Sequence, residues 1–338
     1  MATFTSGPQG FDISGLNIGD LLDYEPISAT PTQLVLDDLA GEIVTFTGFG
    51  FTYSGGAPTS GTVTGIRAVL NGTLLYEASG FSTPVSSWLA WIQANDTLAA
   101  YRTVLAGDDV INGSAAADRL FGFAGNDSML GGGGADRLEG GDGADTVMAG
   151  AGNDTIVDTT GSNYLRGEEG DDVIQGGDGF DDAHGNQGND IVRGGGGNDW
   201  VVGGKDDDQL YGEVGDDIAY GNLGNDTVDG GDGADWVRGG QGDDIVRGGA
   251  GDDLVWGDRG SDTLSGGGGA DTFSFFAGAG TDLILDFNGA EGDRIRFEGA
   301  AVNYSVTMVG NETQLDFGNG DVLRIVGTFQ TDWLVFTG

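Results

Sequence analysis

Cysteine is absent from the 338-residue chain, and histidine occurs once, as His184. Without cysteine, neither disulfide bonds nor thiolate metal sites can hold the fold. A single histidine excludes the H-E-x-x-H helix of zinc proteases, and the sequence contains no G-x-S-x-G nucleophile motif. Acid pairs recur in the sequence, but they belong to repeated turns. We therefore expect that the protein is not an enzyme.

Basic residues are scarce, with 13 Lys and Arg against 54 Asp and Glu, and the formal net charge is −41. This charge argues against a nucleic-acid surface, and its self-repulsion disfavours a compact state unless something cationic binds. No apolar run approaches the roughly 18 residues that cross a bilayer. Residues 1–15 contain neither a basic residue nor a continuous apolar segment, so we expect no cleaved secretory signal.

Glycine, in contrast, is abundant, with 69 residues, and it recurs in a fixed pattern through residues 104–274. This segment divides into nineteen nine-residue units without an insertion or a deletion. Position six is Asp in every unit except at Asn163, and position eight is always apolar. Position four is Gly except at Ala116 and Asp206. A bias in composition alone does not keep this phase, so we read the units as a structural repeat.

Each unit predicts one turn followed by one short strand. Glycines at positions one, two and four permit positive φ in the turn, and the last three positions alternate as a strand does. Two units then form one coil, in which unit n stacks on unit n+2 and the position-eight side chains form an inner column.

One apolar side chain per nine residues cannot offset an ordering cost of about 1 to 2 kcal/mol per residue. We therefore expect the turns to add stability by binding a hard cation with Asp carboxylates and Gly carbonyls. The flexible oxygen-rich ligand set favours Ca²⁺ over Mg²⁺. Without calcium, an Asp- and Gly-rich tract of this kind is expected to be disordered.

The units "GGGGADRLE", "GGDGADTVM", "GGAGDDLVW" and "GGGGADTFS" resemble the RTX (repeats-in-toxin) family. The resemblance implies a right-handed parallel β-roll, with each ion between units n and n+2, held by position-six carboxylates and main-chain carbonyls. The segment "AGAGTDLILDFNGAEGDRIRF" is similar to the end of RTX blocks and places Asp282 in the Asp position after two inserted residues, Phe275 and Phe276. The resemblance also implies export by a type I system of a Gram-negative bacterium, which reads an uncleaved C-terminal signal. The apolar cluster in "TDWLVFTG" is similar to the end of such a signal.

The predicted calcium ligands are Asp109, Asp118, Asp127, Asp136, Asp145, Asp154, Asp172, Asp181, Asp190, Asp199, Asp217, Asp226, Asp235, Asp244, Asp253, Asp262, Asp271 and Asp282. The units "DTTGSNYLR" and "GGKDDDQLY" depart from the pattern at Asn163 and Asp206, so their turns are predicted to be weak or empty sites. Pairing the repeats allows up to roughly seventeen ions, which would bring the net charge near −7.

The flanks are predicted to be caps, which gives three parts: residues 1–103, 104–285 and 286–338. The first part is expected to be β-rich, with strands at "QLVLDD", "EIVTFTGFGFTYS", "TVTGIRAVL" and "TLLYEAS". A helical stretch at about residues 84–105 places Val85, Trp88, Leu89 and Ile92 on one face, and we expect it to close the end of the roll. The last part shows strand patterns at "RIRFEG", "YSVTMV", "TQLDFG" and "VLRIVG".

One outward face of the repeat is rich in aromatic residues. The interface candidates on this face are Trp200, Val202, Ile218, Tyr220, Trp236, Leu254 and Trp256. Such an apolar patch is large for the surface of a monomer. It could be covered by a flanking domain, or it could bind another copy, a partner or a sugar surface.

The sequence thus predicts an all-β protein dominated by a calcium-loaded parallel β-roll, secreted to the extracellular space or cell surface. The expected function is structural or surface-associated, with possible self-assembly in a matrix, filament or surface layer. One alternative is an adhesive or glycan-binding module that uses the aromatic face. A third is an accessory to a secreted enzyme on another chain.

Overall fold

Strands account for most of the regular structure in the computed structural model, which confirms the predicted all-β class. The structure describes residues 3–6, 25–30, 33–37, 42–54, 57–70, 73–88, 102, 105–298, 303–318, 320–326 and 329–337. The chain divides into two compact units, Met1–Thr160 and Gly161–Gly338.

The first unit begins with an antiparallel meander. Its strands are β1 (Thr3–Ser6), β2 (Glu25–Thr30), β3 (Gln33–Asp37), β4 (Glu42–Ser54), β5 (Ala57–Leu70) and β6 (Thr73–Pro84). Strands β2 to β6 pair in chain order, and β1 pairs with β6. The four strands predicted from alternating apolar residues in this region are confirmed, whereas β1 and β2 were not predicted.

Only part of the predicted helical stretch lies within the described residues. Residues 85–88 are helical, and both Val85 and Trp88 are buried. The Trp88 ring meets Phe46 edge-on, with ring centroids 5.6 Å apart, so it packs on the meander. Leu89 and Ile92 lie outside the described residues.

The first unit then continues as parallel coils. Their strands are β7 (Val110–Asn112), β8 (Arg119–Ala124), β9 (Ser128–Gly133), β10 (Arg137–Asp142), β11 (Thr146–Ala151) and β12 (Thr155–Val157). Strands β7, β9 and β11 form one sheet, and β8, β10 and β12 form another. Strand β1 pairs in parallel with β7. The edge of this sheet is therefore closed by a strand, a closure that the sequence had predicted for the helical stretch.

The second unit repeats the same coil over a longer stretch. Its strands are β13 (Tyr164–Glu169), β14 (Val173–Asp178), β15 (Asp182–Gln187), β16 (Ile191–Gly196), β17 (Trp200–Lys205), β18 (Gln209–Val214), β19 (Ile218–Leu223), β20 (Thr227–Asp232), β21 (Trp236–Gln241), β22 (Ile245–Ala250), β23 (Leu254–Arg259), β24 (Thr263–Gly268) and β25 (Thr272–Phe276). The odd-numbered strands form what we call the aromatic sheet, and the even-numbered strands form the opposite sheet. Neighbouring strands are 18 residues apart, as in the register Val201, Ala219, Val237.

Further strands extend both sheets at the C-terminal end of the second unit. They are β26 (Thr281–Ile284), β27 (Arg294–Glu298), β28 (Ser305–Val309), β29 (Glu312–Gly318), β30 (Asp321–Val326) and β31 (Leu334–Thr337), with a 3-10 helix at Thr331–Trp333. Strands β27 and β31 continue the aromatic sheet in parallel. The opposite sheet continues through β26 to β30 and then, antiparallel, to β29 and β28. This arrangement confirms the four predicted C-terminal strands and the C-terminal β cap.

The position-eight side chains fill the interior of the coils, as the repeat predicts. All nineteen, from Ile111 to Phe273, are no more than 2% exposed. Burying one Val, Leu or Ile side chain contributes about 1.5 to 3 kcal/mol, and each nine-residue unit buries only one, so the apolar column within each compact unit is thin.

The turns depend on positive φ at positions two and four of the unit. Most of these positions are Gly, but Asn222 and Asp258 at position two have φ of 81° and 71°, and Asp206 at position four has φ of 73°. Position one differs from the prediction, because Gly212 and Gly230 are not in the positive-φ region. Glycine is therefore favoured at position one for a different reason, which is the close packing of the turn.

Candidate metal sites in the turns

Each position-six Asp lies directly before a strand, and its side chain turns into the roll. Asp235, for example, precedes β21, and Asp217 precedes β19. All eighteen Asp residues predicted as ligands are no more than 4% exposed. The structure thus places every predicted ligand inside the turns.

These Asp residues form ladders that follow the stack of coils. Within each compact unit, the amide N–H of a position-six residue donates a hydrogen bond to Oδ1 of the Asp one coil further along. Asp217 donates to Asp235 over 2.7 Å, and Asp226 donates to Asp244 over 2.8 Å. The same bond recurs from Asp109 onwards in the first unit and from Asn163 onwards in the second. One carboxylate oxygen of each accepting Asp is therefore occupied by the backbone.

The second oxygen, Oδ2, is buried without such a bond in many of these residues. Within the residues that the structure describes, Oδ2 of Asp217, Asp226, Asp235 and Asp244 has no hydrogen-bond partner. A buried carboxylate oxygen without a partner carries a large desolvation cost. The ladder therefore leaves one anionic oxygen per turn available for a cation.

Position-one glycine makes the space in which this oxygen lies. A Cβ atom at Gly212 would collide with Oδ2 of Asp217 in the same unit and with the carbonyl oxygen of Gly230 one coil further along. At Gly230, an added Cβ would likewise meet Asp235 and the carbonyl of Gly248. Carboxylate and carbonyl oxygens thus border the same small volume between coils, and these residues fit a bound cation.

The chemistry of the donors favours calcium. Among the described residues, no three His, Cys, Asp or Glu side chains converge as a cluster that could hold a metal ion. The carboxylates of Asp217 and Asp235 instead lie beside main-chain carbonyls, and hard oxygen ligands of this kind suit Ca²⁺ rather than Zn²⁺ or copper. When bound, calcium supplies the positive charge that neutralises the buried carboxylates.

Burial also changes the acidity of these groups. It raises the pKa of Asp217 from its usual 3.8 to about 6 and that of Asp235 and Asp244 to about 7. The hydrogen bond from the preceding Asp amide partly opposes this effect. The charged form of each Asp is thus disfavoured unless a cation is present.

Comparison with family models assigns the repeat. The RTX calcium-binding nonapeptide repeat matches residues 104–138, 121–156, 149–183, 157–192, 184–219, 211–246, 220–255 and 238–273, which together cover just over half of the chain. The chain belongs to the RTX calcium-binding family. RTX nonapeptide repeats bind calcium and are typical of secreted proteins. The described part of this RTX chain contains no helix with the length and apolar character needed to cross a membrane.

Two solved RTX-containing structures are similar to parts of the chain. The extracellular lipase LipA of Serratia marcescens is 19% identical, with a TM-score of 0.28, over 69% of this chain and 40% of the lipase. The AlgE6R3 subunit of the Azotobacter vinelandii mannuronan C5-epimerase is 30% identical, with a TM-score of 0.21, over 39% of this chain and 78% of that subunit. This chain thus spans well under half of the lipase, and both TM-scores are too low to support an argument. No curated protein matches the chain at a significant level.

The two irregular RTX units keep their place in the ladder. The Asn163 amide donates to Asp181 over 2.9 Å, and the Asp190 amide donates to Asp208 over 2.8 Å. Asp206 adopts the positive φ that glycine has in other units. The ladder of hydrogen bonds therefore starts again at Asn163 and runs on through Asp208, and the weak calcium binding of both turns stays a prediction.

Two buried carboxylates that do not occupy position six of a repeat unit were not predicted. Asp158, at position one of its unit, is buried and hydrogen-bonds the side chain of Asp145. Asp293 accepts from the Asp271 amide over 3.1 Å and so continues the ladder after the last repeat. A signal for Asp293 exists in the sequence, because it precedes the strand at "RIRFEG", as each position-six Asp precedes a strand.

The aromatic face is less exposed than the sequence predicts. Trp200 and Trp236 flank Ile218 in register and are 41% and 50% exposed. Val202 and Trp256, in contrast, are less than 10% exposed. Ile218, Tyr220 and Leu254 are half-buried.

The C-terminal cap explains why Trp256 is covered. Its indole Nε1 donates to Glu298 over 3.3 Å, and the Arg296 guanidinium lies 5.4 Å from the indole ring. Both residues belong to β27. A flanking segment therefore covers one end of the face and leaves the two other tryptophans open.

Proposed function

We propose that this RTX protein is secreted and folds outside the cell as a calcium-loaded, structural or surface-associated scaffold. The observation that carries the proposal is the ladder of buried carboxylates, which in the turns of Asp217, Asp226, Asp235 and Asp244 leaves one oxygen available to a cation. Extracellular calcium modules bind at about 10⁻⁴ to 10⁻³ M, far above the affinity range of cytosolic buffers. A chain with these sites would stay unfolded during export by a type I system and fold once outside.

Catalysis is not part of the proposed function. The His184 imidazole lies 2.8 Å from the Asp182 carboxylate, which also accepts from Arg166 over 3.0 Å. Burial, and then the Arg166 charge, lower the pKa of His184. We interpret this group as an Arg166–Asp182 ion pair beside a neutral imidazole, which together support the outer surface of the aromatic sheet. His184→Ala is expected to keep calcium-dependent folding.

Self-assembly is the second element of the proposal. The exposed rings of Trp200 and Trp236 offer an apolar surface, and aromatic residues supply much of the energy of protein interfaces. Calcium binding would reduce the −41 charge that otherwise keeps copies apart. The proposed partner of this surface is therefore a second calcium-loaded copy.

Sedimentation velocity in EDTA and in calcium tests both elements. The parent chain should sediment as an expanded monomer in EDTA and as compact, larger species in calcium. The double variant Trp200→Ser and Trp236→Ser should become compact in calcium but remain a monomer. Assembly of this variant like the parent would refute the interface, and a compact parent in EDTA would refute calcium-dependent folding.

A further inference from the structure

An open cavity lies on the aromatic sheet where strands β19, β21 and β23 end. Its volume is about 380 Å³, within the range of about 300 to 1,000 Å³ that is usual for small-ligand sites. Its side-chain walls come from Tyr220, Asn222, Arg238, Gln241, Asp258, Arg259 and Phe276. None of the lining residues is a position-six Asp, although the carbonyl of the lining residue Gly239 borders the space beside Asp226.

Two polar residues of this cavity occupy a position at which glycine is common. Asn222 and Asp258 hold position two with positive φ, as four other non-glycine residues of the roll also do. A left-handed backbone is unfavourable for residues with a side chain, so Gly is the less strained residue at this position. Gly240 lies between the two in register. Two polar side chains thus flank a residue that has none.

One wall of the cavity is held rigid by an ion pair. Arg238 donates to Asp258 through Nε over 2.9 Å and through Nη2 over 2.8 Å. Its guanidinium also lies 5.7 Å from the centre of the Tyr220 ring. A two-bond contact of this kind fixes the orientation of both side chains.

Three polar side chains in the cavity remain free to bind a ligand. Within the described part of the chain, the side chains of Asn222, Gln241 and Arg259 form no hydrogen bond or ion pair, and all three are exposed. An exposed guanidinium without a carboxylate partner is notable in a protein with 54 acidic and 13 basic residues. Arginine binds carboxylates with two parallel hydrogen bonds, so Arg259 is suited to an anionic group.

The break in the repeat supplies an aromatic wall. Strand β25 runs on through the two inserted residues to Phe276, which pairs with Glu298 of β27. Phe276 lines the cavity and is half-buried, as is Tyr220. Two rings with apolar faces therefore border the same space as the amides and the free guanidinium.

We propose that this cavity binds a carboxylated sugar residue of an acidic polysaccharide. Arg259 binds the carboxylate, the amides of Asn222 and Gln241 bind hydroxyl groups, and the rings of Tyr220 and Phe276 contact the apolar face of the sugar. A neutral sugar would leave Arg259 without its partner. The site adds a ligand to the proposed scaffold, and it requires the calcium-folded roll but not self-assembly.

Titration calorimetry with trigalacturonate in calcium tests the site, with neutral cellotriose as the comparison sugar. The folded parent should bind trigalacturonate and not cellotriose. Arg259→Gln should weaken binding at least about tenfold, because a hydrogen bond to a charged group contributes about 1.5 to 3 kcal/mol. Asn222→Gly should also weaken binding while it relieves the backbone, since Gly is the usual residue at position two. Neither effect would follow if the sugar merely chelated calcium.

Asn186→Gly is the matched control, because Asn186 has the same position in the unit and a φ of 82° but lies outside the cavity. It should bind trigalacturonate like the parent. Circular dichroism of each sample in calcium separates a failure of this proposal from a failure of folding. The proposal is wrong if the folded parent binds no trigalacturonate, if cellotriose binds equally well, or if Arg259→Gln binds like the parent.

Discussion

At the scale of single residues, the position-six Asp uses its two oxygens differently. Oδ1 of Asp235 accepts the Asp217 amide over 2.7 Å and aligns neighbouring coils. Its Oδ2 lies in the space that Gly230 leaves and is available to a cation. The sequence predicted Asp235 as a ligand from its position alone. The sequence could not show that Oδ1 and Oδ2 have different roles, because the hydrogen bond to Oδ1 joins residues that are 18 positions apart.

The ligands should differ in strength along the roll. Burial, with repulsion from neighbouring Asp residues including Asp206, raises the pKa of Asp208 to about 8, against about 7 for Asp235. At neutral pH, Asp208 thus gives up its proton to calcium less readily. Asp235→Ala should therefore raise the calcium midpoint of folding more than Asp208→Ala, as measured by far-UV circular dichroism. Equal midpoints for the two variants would contradict the expected weakness of the Asp206 turn.

The pH should affect both the stability of the metal-free fold and the calcium concentration that is needed for folding. The pKa values of Asp217 and Asp244 in the fold, about 6 and about 7, lie above their usual 3.8. Protonation therefore favours the metal-free fold most below about pH 4, and this contribution is lost as the pH rises through 6 to 7. Calcium must displace these protons, so the calcium midpoint should rise as the pH falls below 7.

Circular dichroism at a series of pH values checks this behaviour. In EDTA, acidification should increase the β signal; in limiting calcium, the same change should decrease it. A calcium midpoint that is independent of pH between 5 and 8 would show that the buried carboxylates are not the ligands.

At the scale of elements, the nine-residue period was sufficient to predict the coils. It placed each position-eight side chain in the column and each Asp in a turn, since both follow from local sequence. Strand β1 was missed, because its pairing with β7 and β6 joins residues at least 70 positions apart. The cavity at Asn222 and Asp258 was also missed, since it depends on which side chains meet across the sheet.

Glycine at position one should stabilise the turn in units such as that of Asp235, although Ala149 and Asp158 hold this position elsewhere in the roll. Gly230→Ala would push a methyl group onto Oδ2 of Asp235 and the Gly248 carbonyl, and we expect a loss of about 1 to 3 kcal/mol in the free energy of unfolding in calcium. Gly268→Ala is the control, because an added Cβ there meets no atom within 4 Å and φ is not positive. Urea denaturation at fixed calcium compares the two. If Gly230→Ala is as stable as Gly268→Ala, the close packing of the turn is not required.

At the scale of the whole molecule, the thin apolar interior and the negative charge both make folding depend on a bound cation. The interior contributes one apolar side chain per nine residues, while 54 acidic residues against 13 basic ones oppose compaction. Buried carboxylates with raised pKa values add to this opposition. We therefore expect the chain to fold only when calcium binds, and we do not expect calcium to bind to a protein that is already folded.

Calcium-dependent folding can be measured by far-UV circular dichroism of the full chain at neutral pH, in EDTA and through a calcium titration. We expect a largely disordered spectrum in EDTA and a cooperative change to a β spectrum near about 10⁻⁴ to 10⁻³ M calcium. The same concentration of magnesium should leave the chain largely disordered. A β spectrum that is the same in EDTA as in calcium would show that the roll folds without the ion.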